Sequence, residues 1–184
     1  DCVVLDEEVL QDKKAVYIMM NKPIGVVSAT KDERHKTVLD LLPNELKAMN
    51  GDQYDLHIVG RLDLNTSGLL LLTNDSRWSR KLMSPEAKVN KVYQVTLENE
   101  VTEETVSAFS NGMYFSFEDI TTQPAKLTIL TKTLVEVVLT EGKYHQIKRM
   151  FGRFRNPVLA LHRSSVGNLS LDPSLDTGKS RALT

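Results

Sequence analysis

Arg61, Asp63 and the turn Thr66-Ser67-Gly68 fall within one short stretch that opens on His57-Ile58-Val59, bends at Gly60 and closes in Leu69-Leu70-Leu71-Leu72. A carboxylate set beside a guanidinium and hydroxyls can act as a nucleophile or as a base, provided that it stays ionised. A carboxylate buried alone shifts its pKa up and goes neutral, and a cation within about 4–6 Å prevents this. A structural ion pair beside a tight turn uses the same residue types, so the spacing leaves both readings open.

The elements that must position Asp63 are legible around it. Four consecutive leucines bounded by turn residues read as a strand buried on both faces. A carboxylate at the end of such a strand would be held to the tolerance that chemistry needs. Residues 15–20 are apolar and β-prone and end in Asn21-Lys22-Pro23-Ile24-Gly25, where Pro23 and Gly25 mark a turn. Thr37 caps a short helix stopped by Pro43, and a second helical turn covers 44–49. Asp75 caps a helix over 76–82, on which Trp78 and Leu82 share a buried face. Lys91-Val92-Tyr93-Gln94-Val95-Thr96-Leu97 alternates as a half-buried strand with Tyr93, Val95 and Leu97 on one face. Thr102 caps a helix with Glu103 and Glu104 in its first turn and Gly112 as its stop. Residues 114–122 read as a loop, 124–130 and 133–140 as strands, and 157–163 as a last core strand. Few helices and no strict alternation of strand and helix make the class α+β.

A second chemical stretch is Glu141-Gly142-Lys143-Tyr144-His145-Gln146-Ile147-Lys148-Arg149-Met150-Phe151. Gly142 breaks a strand, and the spacing of Tyr144, Ile147 and Phe151 predicts a helix with one apolar and one cationic face. The whole chain has a net charge of −1, yet between Gly142 and Leu171 it carries six Lys and Arg and no Asp or Glu. Such clustering is the footprint of a polyanion partner, although a solvated basic helix face would look the same. No metal site is expected, because no Cys or carboxylate completes a set with His145 or His162. Gly178-Lys179-Ser180 lacks the upstream Gly of a phosphate loop.

The 184 residues, 41% hydrophobic and 26% charged, fit a globular domain with a sizeable core. No apolar run approaches the roughly 20 residues of a membrane span. The acidic opening is unlike a signal peptide, and the lone Cys2 can form no internal disulfide. A cytoplasmic, membrane-free and monomeric protein is the expectation. Residues 1–14 read as a tail or the remnant of a linker, and 15–184 as one domain.

Gly60-Arg61-Leu62-Asp63 followed by Thr66-Ser67-Gly68-Leu69-Leu70 resembles the central motif of pseudouridine synthases, nearest to the branch that modifies bacterial ribosomal RNA (the RsuA and RluB/E/F branch). Three further segments resemble family motifs in the same order: Asn21-Lys22-Pro23-Ile24-Gly25-Val26, Lys91-Val92-Tyr93-Gln94-Val95, and Glu141 to Met150 with Leu161-His162-Arg163 after it. The resemblance spans residues 16–163, nearly the whole chain. It implies a mixed, largely antiparallel sheet flanked by helices, with a cleft across its middle. Asp63 would be the essential catalytic residue, Tyr93 would pack on the target uracil, and Lys148, with Arg61 as a second candidate, would pair with Asp63. Asn21, Lys22, Thr66, Lys143, His145, Gln146, Arg149, Arg153 and Arg163 would contact RNA. The reaction implied is isomerisation of a uridine in ribosomal RNA, or in a small-subunit assembly intermediate, without a cofactor. Small-subunit RNA is the nearer match and large-subunit RNA the alternative. Relatives carry a small N-terminal RNA-binding domain with an α-L fold, which is not expected within these 184 residues. Two other classes share these features. A non-catalytic RNA-binding protein could use the same scaffold, and a glycoside hydrolase would need a second carboxylate facing Asp63, for which only Glu141 stands in the motifs.

Overall fold

The computed structural model describes residues 15–49, 56–142 and 145–183; the expected tail at 1–14 lies outside them. In chain order the elements are β1 (Tyr17–Lys22), α1 (Val38–Leu41), α2 (Asn44–Met49), β2 (His57–Val59), β3 (Thr66–Thr73) and α3 (Ser76–Met83). There follow β4 (Lys91–Leu97), α4 (Glu103–Asn111), β5 (Tyr114–Phe115), β6 (Ile120–Thr121), β7 (Lys126–Ile129) and β8 (Leu134–Leu139). Helix α5 (Gln146–Gly152) and strands β9 (Val158–Val166), β10 (Leu169–Ser170) and β11 (Ser180–Ala182) complete the chain.

Seven strands run across one sheet in the order β11-β1-β3-β9-β4-β8-β7, with β2 added beside β3 and β10 beside β9. Every pairing in it is antiparallel except one. Strands β3 and β9, at the centre, run parallel, with Thr66 opposite Leu161, Ser67 opposite His162 and Gly68 opposite Arg163. The sheet is therefore two antiparallel halves joined along a parallel seam. The α+β class and the mixed, largely antiparallel sheet are as the sequence predicts.

Alternation along the central strands builds a core on each face. Leu70 and Leu72 of β3, with Ile18 and Met20 of β1, enter the larger core, while Leu69, Leu71 and Met19 enter the smaller one. All four leucines are fully buried, each adding about 1.5–3 kcal/mol of burial free energy. Helix α3 lays Trp78, Leu82 and Met83 on the smaller core. Its N-cap is Asp75, whose carboxylate accepts from the amides of Arg77 and Trp78. Helices α4 and α5 close the larger core, and Phe109 and Phe151 meet there with ring centroids 4.7 Å apart. Thr37 caps α1 in a reciprocal capping box with Asp40.

One expectation is corrected here. Residues 114–122 are not an irregular loop but a small hairpin, β5 and β6, forming a sheet of its own. Two-residue strands are too short to show an alternating pattern.

Candidate active site

Asp63 lies in the loop between β2 and β3, and the single stretch from Lys22 to Ser28 fixes that loop's backbone at three points. Ser28 Oγ donates to the Leu62 carbonyl at 2.7 Å and accepts from the Leu62 amide at 3.1 Å. The Gly25 amide donates to the Leu64 carbonyl at 2.8 Å. Beneath the loop is Lys22, whose side chain has no solvent exposure. Its ammonium donates to the carbonyls of Pro23, Asp63 and Thr66 at 3.0, 2.9 and 2.8 Å. A buried ammonium has three protons to place, and three carbonyls take them. Burial pushes its pKa down to about 8, and the nearby Asp63 carboxylate opposes that shift.

The cleft above this loop has a volume of about 420 Å³ and is walled by Arg61, Asp63, Lys91, Tyr93, His145 and Lys148, among others. Tyr93 of β4 stands opposite Arg163 of β9, which in turn stands opposite Gly68 of β3. Tyr93 and Arg163 of this row line the cleft. Gly68 has φ of +113°, and a Cβ there would come within 2.2 Å of the Arg163 carbonyl oxygen, so only glycine fits. Arg163 is buried, and its guanidinium donates to the Leu69 carbonyl at 3.0 Å and the Gly60 carbonyl at 2.6 Å. Burial lowers its pKa, while the neighbouring Tyr93 side chain favours the charged form. Lys91, also buried, is lowered first by burial and then by the charge of Arg163, with Glu141 opposing. The cleft thus has cations built into its base.

Asp63 itself is not buried: its side chain is 45% exposed at the mouth of the cleft. The partner of its carboxylate is His145, with Nε2 3.2 Å from Oδ2. Among the described residues, neither Lys148 nor Arg61 forms the ion pair expected with Asp63, although both line the cleft. The reason is local. His145 is the N-cap of α5, in a left-handed conformation at φ of 47°, which brings it to the carboxylate. Arg61 is exposed.

The residues expected on RNA divide in two. Lys22, Thr66, Gln146 and Arg163 are buried, and the side chains of Lys22, Gln146 and Arg163 bond to other parts of the chain. Gln146 Nε2 donates to Glu141 Oε2 at 3.0 Å. Thr66 lines the cleft, but its hydroxyl is shielded and has no hydrogen-bond partner among the described residues. Asn21 ties down the C-terminal segment through the Leu175 carbonyl. His145, Arg149 and Arg153 remain accessible, while Lys143 lies outside the described residues. Lysine and arginine at these spacings read as surface charges, and most of the carbonyls that take their protons come from distant segments. Ser28 had no motif to mark it. Glu141 accepts from the Gln123 amide as well as from Gln146 and does not line the cleft, so among the described residues no second carboxylate lines the cleft with Asp63.

Among the described residues no group of three or more His, Cys, Asp or Glu is placed to hold a metal ion. No helix there is long and apolar enough to cross a membrane.

Comparison with known proteins agrees with this architecture. The family model described as RNA pseudouridylate synthase matches residues 16–152. The "Ribosomal small subunit pseudouridine synthase A" of Pseudomonas aeruginosa is 50% identical over 182 residues, covering 98% of this chain and 76% of the relative. The protein of the same name from Escherichia coli K12 is 42% identical over 168 residues, covering 91% and 70%. A solved structure described as a pseudouridylate synthase superposes with a TM-score of 0.85 at 40% identity, over 94% of this chain and 71% of that one. The archaeal box H/ACA Nop10–Cbf5 complex shares the fold alone, with a TM-score of 0.55 at 16% identity over 92% of this chain and 53% of that one. The chain belongs to the RNA pseudouridylate synthase family.

Proposed function

We propose that this chain isomerises one uridine of bacterial small-subunit ribosomal RNA to pseudouridine, in the cytoplasm and as a monomer, with Asp63 as the catalytic carboxylate. The observation that carries this reading is Asp63 itself. The main chain of its loop is pinned at three points, yet its carboxylate is open to a cleft lined by Tyr93. Rigid backbone and accessible carboxylate together are what a group acting on a bound ribose needs.

The reaction breaks the bond between uracil N1 and ribose C1′ and makes one between C5 and C1′. C5 loses a proton and N1 gains one, so no cofactor is required. The uridine must leave its stack, at a cost of a few kcal/mol. Contacts to phosphates and an aromatic platform offset that cost. Tyr93 is the platform for the flipped base, beside Arg163 of the neighbouring strand. Asp63 acts on the ribose, and His145 holds the carboxylate until a nucleotide takes its place. Arg61 and Lys148 supply cationic charge at the rim for the flanking phosphates.

Release of tritium from RNA labelled at uracil C5 tests the function. Small-subunit RNA in partly assembled particles should release label, and large-subunit RNA should not. Release from large-subunit RNA alone would reassign the substrate. RNA binding without release from either would leave an RNA-binding protein on a synthase scaffold.

A further inference from the structure

The hairpin of β5 and β6 carries at its tip the most exposed large apolar side chain of the described residues, Phe117, at 95%. Tyr114 beside it is half exposed, and its hydroxyl donates to Asp119 at 2.7 Å. A phenyl ring left in water forgoes the stabilisation that burial would give, and nothing in the catalytic cleft requires it there.

The hairpin is backed by arginines. The guanidinium carbons of Arg149 and Arg153 each lie 4.5 Å from the ring centroid of Phe115, the buried residue of β5. Arg153 also donates to the Tyr114 carbonyl. Arg155, two residues on, is exposed. These guanidiniums are already oriented, so little side-chain freedom remains to be lost on binding an anion. Arg149 carries a stand-in for one. Both oxygens of Glu118 lie 2.7 Å from its Nη2, in the place where a phosphate would pair with it.

The hairpin is also coupled to the cleft. Helix α5 begins beside His145, the partner of Asp63, and at about 1.5 Å of rise per residue Arg153 lies about 12 Å further along. Glu141 joins the two ends, accepting from the Gln123 amide behind the hairpin at 2.6 Å and from Gln146 of α5 at 3.0 Å.

We propose that this hairpin is a second contact for single-stranded RNA flanking the modified uridine. A base stacks on Phe117, and a backbone phosphate displaces Glu118 from Arg149. Exposed aromatic rings beside ordered cations form the usual platform for unpaired bases, and the carboxylate keeps the guanidinium from anions that bring no base with them. The location relative to the flipped nucleotide rests on the synthase reading; the binding does not.

The test measures affinity and tritium release on the same C5-tritiated small-subunit RNA transcript, for the wild type, Phe117→Ser and Glu118→Gln. Both positions sit on an exposed tip, where substitution leaves the fold intact. Phe117→Ser should weaken binding about fivefold or more and raise KM, with kcat within about twofold of wild type. Glu118→Gln should tighten binding about threefold or more, because the phosphate no longer has to displace a carboxylate from Arg149. Shifted affinities without tritium release by any form would keep the hairpin contact and remove the synthase reading. Unchanged affinity in both variants would overturn the proposal and leave Phe117 to a protein partner. Loss of kcat at unchanged affinity, or no RNA binding by the wild type at low salt, would overturn it too.

Discussion

The ammonium of Lys22 donates to the main-chain carbonyl of Asp63 at 2.9 Å from a side chain with no solvent exposure. The lysine holds the loop from below, and the carboxylate stays exposed at the mouth of the cleft. Replacing Lys22 with Met removes the donor to three carbonyls at once. Each buried acceptor left unpaired costs about 1–3 kcal/mol, so urea unfolding should show a loss of roughly 3 kcal/mol or more. Tritium release per folded molecule should fall with it. A variant as stable as the wild type would contradict the clamp.

The same lysine makes stability depend on pH. Burial takes its pKa from the ordinary 10.5 to about 8 in the folded chain. Between those values the unfolded chain binds more protons, so stability from this group rises with pH. Its contribution is full above the unfolded value and is lost as pH falls through the folded one. The stability difference between wild type and Lys22→Met should therefore widen from about pH 7.5 to 9.5. A difference that narrows over that range would contradict this.

How much of this could be read from residues alone varies by element. The four leucines of β3 are legible because they need only their own apolarity and the turns around them. Helices α1, α3 and α4 are legible because Thr37, Asp75 and Thr102 mark their starts. Asp63 was legible through its motif. Its partner was not, since His145 reaches it by a left-handed residue whose sequence carries no sign of that conformation. The burial of Lys22 and Arg163 was equally hidden. Most of the carbonyls that satisfy them, those of Asp63 and Thr66 for Lys22 and of Gly60 and Leu69 for Arg163, come from segments remote in the chain, and only the folded sheet shows that they converge.

Gly68 sits where the parallel seam is tightest. Alanine there would place Cβ 2.2 Å from the Arg163 carbonyl oxygen and 2.6 Å from its nitrogen, at a φ that L residues rarely adopt. Strain and overpacking together predict a loss of roughly 3 kcal/mol or more for Gly68→Ala. The amides of β3 and β9 along the seam should lose hydrogen-exchange protection before those of β7 and β8. Uniform protection across both regions would show that the seam adapts.

Thr66 gives the opposite expectation. Its hydroxyl is buried without a partner among the described residues, so Thr66→Val removes an unsatisfied group while keeping the shape. Thermal unfolding should show stability unchanged or raised by up to about 1 kcal/mol, with tritium release retained. Lost release at intact stability would mean that the hydroxyl serves the substrate.

The most direct test of the central claim compares the wild-type chain with Asp63→Asn on C5-tritiated small-subunit RNA. Asn keeps the size of the side chain and every main-chain bond of the loop, and it removes only the charge. The wild type should release label and Asp63→Asn none, with RNA affinity within about threefold between them, since an exposed carboxylate at the rim contributes little to phosphate binding. Release by Asp63→Asn at the wild-type rate would contradict the assignment of Asp63 as the catalytic group.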